Sequence, residues 1–178
     1  MSGFTKEIII QTFMELLNEK PLAKITVKDI VERCGVNRNT FYYHFRDIPD
    51  VVEFAMKREL DKIINSKMEV DSVAECLELV ADLVKSNQKA MLHIYRSVQR
   101  ESFVRYLDKI SLYIITEYFD KKVKDLNLSE EDKFLVIKLY KCVFVGALLD
   151  WLDNGMEYDL CAYMRRIVEL EGSIRKLL

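Results

Sequence analysis

Apolar residues recur at helical spacing from the beginning of the chain. Ile9, Phe13, Leu16 and Leu17 fall on one side of a helix, and the pattern stops at residues 18–21. The pattern predicts a first helix of about four turns. Similar periodic stretches occur along most of the remaining sequence.

Two short helices follow, and both carry signals for where they begin or end. Thr26 and Asp29 have the spacing of a capping box, in which each side chain bonds a free backbone amide of the other residue. Gly35 can adopt the left-handed conformation that ends a helix, and Asn37 is a good N-cap for the next one. A short helix over residues 27–34, a turn with a glycine and another short helix form a helix-turn-helix pattern.

The third helix has an apolar side and a polar side. At about 100° per residue, Phe41 and Phe45 lie together and are expected to be buried. Asn39 and Tyr43 point the opposite way, and the residues that flank them are Thr40, Tyr42 and Arg46. Amide, hydroxyl, phenol and guanidinium groups on one exposed surface are suited to bonding the base edges and phosphates of DNA.

The charge of this segment differs from that of the whole chain. The sequence has 27 Lys and Arg against 29 Asp and Glu, a formal net charge of -2, whereas residues 33–46 hold three Arg and no acidic residue. Contact with nucleic acid is therefore expected to be confined to this patch. The alternative is a polar face that is only solvated, although two adjacent exposed tyrosines are unusual on such a face.

The rest of the chain predicts further helices. Three more residue pairs have the spacing of a helix start: Asp47 with Asp50, Ser72 with Glu75, and Ser129 with Asp132. The helix after Ser129 is apolar on all sides and stops at residues 154–155, so it must be covered on all sides. The last helix has apolar residues at heptad spacing.

These last two helices predict half of a four-helix bundle that a second copy of the chain completes. The fold class is therefore expected to be all-α, with an N-terminal three-helix unit and a dimeric bundle. The residues expected at the dimer interface are Phe144, Leu148, Trp151, Leu160, Tyr163, Ile167, Leu170 and Ile174. The alternative is that the heptad seam packs within a single chain.

Composition narrows the fold and the function classes. Only 5 Gly and 2 Pro are present in 178 residues, which is few for a fold of many short strands and favours an all-helical chain. The four cysteines are far apart and lack the paired spacing of a zinc site or a disulfide framework, so no metal or cofactor is expected. An enzyme would need a nucleophile beside a base, and two isolated histidines with unpaired cysteines do not provide one.

The sequence also predicts where the protein is found. The N-terminal residues do not resemble a signal peptide, and the longest uncharged apolar run, residues 142–149, is too short to cross a bilayer. A cytoplasmic protein without a membrane partner is expected.

The segment 4–52 resembles the N-terminal part of the TetR-type (TetR/AcrR) transcriptional regulators. The resemblance is carried by TVKDIVERCGVNRNTFYYHFRD, with its Thr-initiated helix, Gly-Val turn, polar N-cap and closing aromatic residues. It implies a helix-turn-helix DNA-binding domain over residues 1–48 and a helical effector-binding and dimerisation domain over residues 49–178, with the fourth helix as connector. One position departs from the family pattern, because Ile48, followed by Pro49, stands where a phosphate-binding Lys is usual.

The resemblance assigns individual residues to parts of the DNA. Base reading is implied for Arg38, Asn39 and Tyr43. Contacts to the phosphate backbone are implied for Thr26, Lys28, Thr40, Tyr42 and His44. Without the usual Lys, affinity is expected to depend more on Arg46. His44 also borders the buried side of its helix, so a packing role is the alternative for this residue.

The resemblance further implies a homodimeric repressor that binds a palindromic operator in double-stranded DNA and is released by a small-molecule effector. The candidate pocket residues are Met91, Tyr95, Phe103, Tyr106, Tyr113 and Tyr140, with His93 and Tyr118 as further candidates, although aromatic residues at this spacing are usually core. The FYYHF motif and the short C-terminal half are similar to regulators of dihydroxyacetone-kinase operons, which suggests a protein coactivator in place of a metabolite. A helical protein-interaction adaptor is the remaining alternative, because Tyr and Arg are also favoured at protein interfaces.

Overall fold

The structure, a computed structural model, describes residues 2–65, 72–122 and 129–174. Within these ranges the chain forms α-helices and one short 3-10 turn, with no β-strand, so the predicted all-α class is confirmed. None of the described helices is both long enough and apolar enough to cross a membrane.

The described helices are numbered in chain order. Their bounds are α1 Ser2–Glu19, α2 Val27–Cys34, α3 Arg38–His44, α4 Ile48–Asn65, α5 Val73–Lys85, α6 Gln88–Tyr95, α7 Arg100–Lys122, α8 Glu130–Asp153 and α9 Leu160–Ile174. The 3-10 turn, Leu22–Lys24, lies between α1 and α2.

The capping signals read from the sequence are present in the helix-turn-helix segment. The Thr26 hydroxyl accepts a hydrogen bond from the Asp29 amide at 3.2 Å, and the Asp29 carboxylate accepts one from the Thr26 amide at 2.8 Å. Gly35 ends α2 in the left-handed region at φ 70°. The Asn37 side chain caps α3 by accepting from the Thr40 amide at 2.8 Å. These local bonds fix where α2 ends and α3 begins.

The other three predicted helix starts are also confirmed. The first residue of each pair accepts a hydrogen bond from the backbone amide of the second, at 2.9 Å for Asp47 with Asp50, 3.1 Å for Ser72 with Glu75 and 3.1 Å for Ser129 with Asp132. The caps therefore set the first turns of α4, α5 and α8.

The chain forms two compact units. The first unit consists of Met1–Asn65 and Asn87–Tyr106, and the second of Ser66–Ser86 and Leu107–Leu178. A segment from well beyond residue 49 thus belongs to the same compact body as the helix-turn-helix. The division into functional domains at residues 48 and 49 stays a prediction, because compactness does not assign function.

The core of the first unit is built around α1, which packs on α2, α4 and α6, while α3 packs on α2. Phe13 on α1, Ile30 on α2 and Phe41 on α3 are fully buried, and α6 contributes the buried residues Ala90 and Ile94. Burial of Phe41 holds one side of α3 against the protein. The opposite side of the same short helix is therefore turned outward.

The second unit is built on α5, the part of α7 from Leu107 onward, α8 and α9. Helix α9 packs on both α5 and α8. Two ion pairs join α7 to α8: Lys141 with Asp108 at 2.5 Å, and Lys133 with Asp120.

The residues predicted at the dimer interface differ in their burial within the single chain. Four of these residues belong to the core of a single chain, where they are at most 3% exposed: Phe144, Leu148, Trp151 and Leu160. Side chains already covered by their own chain leave almost no surface for a partner. Three others are exposed, namely Tyr163, Ile167 and Leu170, while the side chain of Ile174 lies outside the described residues.

Candidate DNA-binding surface

Helix α3 presents four exposed polar or aromatic side chains, which we call the recognition face: Arg38, Asn39, Tyr42 and Tyr43. Tyr43 is 78% exposed and Tyr42 is 47% exposed, so neither phenol is buried in its own chain. Large exposed aromatic rings are costly to leave in water. Their position opposite the buried Phe41 is suited to contact with another molecule.

An aromatic cluster holds the buried side of α3 in place. The ring of Phe45 lies 5.9 Å from that of Phe41 and 5.8 Å from that of Phe54 on α4. The Lys6 ammonium of α1 lies 3.5 Å from the centre of the Phe54 ring, a cation–π contact. Helices α1, α3 and α4 are thereby joined at one point, which fixes the direction of the recognition face.

Two members of the recognition face bind one another. Arg38 Nη2 donates a hydrogen bond to the Tyr42 hydroxyl at 3.3 Å, and the guanidinium carbon lies 5.7 Å from the centre of the Tyr42 ring. This contact orders a long side chain before any ligand arrives. Asn39 and Tyr43 are exposed beside the pair.

The start of α2 contributes Thr26 and Lys28, both exposed. The Thr26 hydroxyl donates to the Asp29 carboxylate at 2.8 Å, so its proton is already used in the cap. The Lys28 ammonium lies 3.7 Å from the Glu32 carboxylate, and such an exposed pair contributes little energy. Lys28 is therefore available to a phosphate, whereas the Thr26 hydroxyl could donate to a phosphate only by giving up its hydrogen bond to the Asp29 carboxylate.

Two of the three arginines in residues 33–46 are paired with carboxylates. Arg33 Nη1 lies 2.6 Å from the Glu19 carboxylate of α1, and this hydrogen bond lowers the pKa of Glu19. The Arg46 amide donates to the Asp50 carboxylate at 2.9 Å and its guanidinium lies 3.4 Å from the same group. The amide hydrogen bond is the main cause of the lowered pKa of Asp50. The patch is therefore less positive than the sequence count of three arginines predicts.

The nine residues predicted to contact DNA lie at the N-cap of α2, on α2, on α3 or in the turn that follows α3. Seven are exposed: Thr26, Lys28, Arg38, Asn39, Tyr42, Tyr43 and Arg46. Thr40 and His44 are half-buried, and the His44 ring contacts that of Tyr43 at 4.9 Å between centroids. Contact with DNA at these residues stays a prediction. The two roles considered for His44, a phosphate contact and a packing residue, both stay predictions as well.

The structure distributes the predicted pocket residues between the two units. In the first unit, four are buried and form part of the core: Met91, Tyr95, Phe103 and Tyr106. The rings of Tyr95 and Tyr106 contact that of Phe103 at 6.1 and 6.2 Å, and burial raises the pKa of Tyr106. Tyr113 and Tyr140 are half-buried in the second unit. The four buried side chains therefore contribute to the core of the first unit, and a ligand pocket lined by the six residues stays a prediction.

His93 makes a contact that the sequence did not indicate. Its Nδ1 atom lies 2.6 Å from the Leu17 carbonyl oxygen of α1. The two residues are 76 positions apart, so no local pattern reports their proximity.

Two family models match the chain. One, described as bacterial regulatory proteins of the tetR family, matches residues 9–53. The other, described as a transcriptional regulator C-terminal region, matches residues 71–170, more than half of the 178 residues. The first match contains α2 and the recognition face.

Individual proteins are similar over different spans. EthR, an HTH-type transcriptional regulator of Mycobacterium tuberculosis, is 34% identical over 76 residues, which cover 42% of this chain and 33% of EthR. The chain spans about half the length, or less, of the curated relatives it matches.

Solved structures share the fold over nearly the whole chain. A dihydroxyacetone kinase operon activator, DhaS, superimposes with a TM-score of 0.73 at 19% identity, covering 98% of this chain and 97% of DhaS. The transcriptional regulator FadR from Bacillus subtilis, in complex with stearoyl-CoA, gives a TM-score of 0.65 at 20% identity, covering 92% of this chain and 96% of FadR. At these identities the likeness shows a common fold.

Proposed function

Because the chain belongs to the TetR family of DNA-binding transcriptional regulators, we propose that it is a repressor that binds a palindromic operator as a homodimer. Release from the operator follows when an effector binds the C-terminal helices. This regulation takes place in the cytoplasm, where the operator DNA is found.

The exposed recognition face is the observation that carries the proposal. Tyr43 is the most exposed aromatic residue on α3. Asn39 is also exposed, and its side-chain amide can pair with an adenine edge. Arg38 supplies a guanidinium that suits a guanine edge. Helix α3 has only seven residues, so these side chains are close enough to read adjacent base pairs in one major groove.

A second copy of the chain is proposed to cover an apolar surface on α8 and α9. We call this surface the dimer face, and its exposed residues are Phe134, Leu135, Leu139, Val143, Tyr163, Ile167 and Leu170. Leu139 is 62% exposed in the middle of a 24-residue helix. A patch this apolar on two adjacent helices supports an interface, and a two-fold dimer would bury the same residues from both copies.

The symmetry of a dimer determines the symmetry of the DNA target. Two recognition faces related by a two-fold axis enter successive major grooves about one helical turn apart, so the operator should be palindromic. Doubling the contacts also raises specific affinity above that for competing genomic DNA.

Two solved structures with this fold suggest two kinds of effector. FadR, which shares this fold, is described in complex with stearoyl-CoA, and this supports a small-molecule effector. Activation of transcription is the second candidate, since DhaS, which also shares the fold, is described as an operon activator. A partner protein would then be required in place of a small molecule.

Selection of bound sequences from a random DNA pool tests the proposed function. The expected product is a palindrome, and binding of the selected site should survive competition by random DNA. Asn39→Ala and Tyr43→Ala should each reduce affinity for the selected site by about 5- to 150-fold, because one base contact contributes about 1–3 kcal/mol.

Gln11→Ala is the matched control, since Gln11 is an exposed amide on α1 outside the recognition face. It should bind the selected site like the unmodified protein. If the unmodified protein binds selected and scrambled DNA equally, the proposed function is wrong.

A further inference from the structure

The last turn of α1 lacks one of its own hydrogen-bond donors. In an α-helix the carbonyl of one residue accepts from the amide four positions later. The Leu16 carbonyl does so, from the Lys20 amide at 2.9 Å. The corresponding residue for Leu17 is Pro21, which has no backbone N–H. The Leu17 carbonyl therefore needs a donor from elsewhere in the chain.

His93 on α6 supplies that donor. Its Nδ1 atom is 2.6 Å from the Leu17 oxygen, and since a carbonyl can only accept, Nδ1 must carry the proton. Leu17 is fully buried, so leaving its carbonyl without a partner would be costly. Both the neutral tautomer with a proton on Nδ1 and the charged ring can donate this bond, so it does not depend on a change in protonation.

The end of α1 is connected directly to the DNA-binding surface. Five residues after Leu17 the chain enters the 3-10 turn that leads to Thr26 and α2. Two ion pairs tie the same end of α1 to α2: Glu19 with Arg33 at 2.6 Å, and Lys20 with Asp29 at 3.0 Å. A change at the last turn of α1 is thus passed to α2 through a short, multiply bonded connection.

Helix α6 is well placed to make such a change. It packs on α1, and its residues Ala90, Met91 and Ile94 are buried in the first unit. It is also followed, after residues 96–99, by α7, which continues into the second unit at Leu107. His93 is therefore one point at which a segment outside the helix-turn-helix holds α1 through a directed bond.

We propose that His93 is a positioning residue, whose hydrogen bond to the Leu17 carbonyl couples the position of α6 to the orientation of the helix-turn-helix. With the bond intact, α1 and α2 are held in the arrangement that binds the operator. When α6 shifts and the bond breaks, operator affinity falls. This inference rests on the proposed function and adds to it the residue through which regulation reaches the DNA-binding surface.

Two substitutions separate the hydrogen bond from packing. His93→Phe keeps a ring of similar size but has no donor, whereas His93→Asn places an amide N–H near the position of Nδ1. His93→Leu, which has nearly the shape of Asn without its donor, takes the place of the Phe variant if that variant does not fold. Each is studied in the full chain.

Amide hydrogen exchange of the DNA-free protein is the first measurement. Loss of one hydrogen bond should speed exchange by about 2- to 10-fold at the amides of Lys20, Lys24 and Ile25, which lie in and after the last turn of α1. His93→Phe should show this increase and His93→Asn should not. Because no DNA is present, this result does not depend on the proposed function.

Affinity for the selected operator is the second measurement. His93→Phe should weaken binding by about 2- to 10-fold, and His93→Asn should restore it to within a factor of about 2. Unchanged exchange in His93→Phe, or equal effects of Phe and Asn, would overturn the proposal. It also fails if exchange rises while operator affinity stays the same, since the bond would then only stabilise the fold. Absence of any selected DNA for the unmodified protein would instead contradict the proposed function.

Discussion

The Asp29 carboxylate binds both Thr26 and Lys20 at the start of the helix-turn-helix. It accepts from the Thr26 amide at 2.8 Å and lies 3.0 Å from the Lys20 ammonium. The hydrogen bond from the Thr26 side chain, followed by that from Lys20, lowers the pKa of Asp29 from 3.8 to about 2. Because the folded-state pKa is below the unfolded one, the ionised group stabilises the fold above pH 4, and this contribution disappears as the pH falls through about 2.

Asp29→Asn should remove this acid-dependent part of the stability. The urea midpoint of the unmodified protein is expected to fall more steeply between pH 4 and 2 than that of the variant. Glu53→Gln, at an exposed position on α4, serves as the control and should follow the unmodified protein. Identical pH profiles for Asp29→Asn and the unmodified protein would contradict the assignment.

Some features at the residue scale could be predicted from sequence and others could not. The capping residues Thr26, Asn37 and Ser129 were found because a cap depends on groups within about four positions. The pairing of Arg33 with Glu19 and that of His93 with Leu17 were missed. Each joins separate helices, and spacing along the chain carries no information about such pairs.

At the scale of a helix, Gly146 is the unusual residue of α8. It lies in the helix interior, where glycine costs about 1 kcal/mol relative to alanine. It is exposed, and a Cβ atom added there would meet nothing within 4 Å in its own chain. The fold of one chain therefore gives no reason for the missing side chain, whereas close approach of a helix from a second copy would.

Gly146→Leu should have opposite effects on the single chain and on the dimer. The free energy of unfolding of the monomer is expected to rise by about 0.5–1 kcal/mol through helix propensity, while self-association weakens because the side chain separates the two helices. Chemical unfolding at low protein concentration and sedimentation velocity measure the two effects. Gly146→Ala is the control, with a similar gain and a smaller loss of association. Undiminished association of the Leu variant would rule out this position as a close contact.

For the whole molecule, the proposed dimer is the condition for binding DNA tightly. Leu139→Glu should yield monomers, because two-fold symmetry brings a buried charge from each copy into one interface. Operator affinity should fall when the dimer is lost, since the single recognition face of a monomer makes half of the contacts. Sedimentation and DNA binding measured on the same samples test both statements.

Leu112→Glu on α7 is the matched control for this prediction. Leu112 is also an exposed leucine, but it lies outside the dimer face. The control should remain a dimer and bind the operator normally. An unchanged dimer in Leu139→Glu would mean that α8 does not form the interface.

The sequence alone determined the helix-turn-helix, the helix starts and the side of α3 that faces outward. Each of these depends on interactions within one or two helical turns, and the identities of neighbouring residues record them directly. The sequence did not indicate which side of α8 is buried, because this helix has apolar residues on all sides. Only the tertiary structure decided that Phe144 and Leu148 lie in the core while Leu139 and Val143 remain exposed. Which side of such a helix is covered depends on the helices that pack against it, and these come from distant parts of the chain.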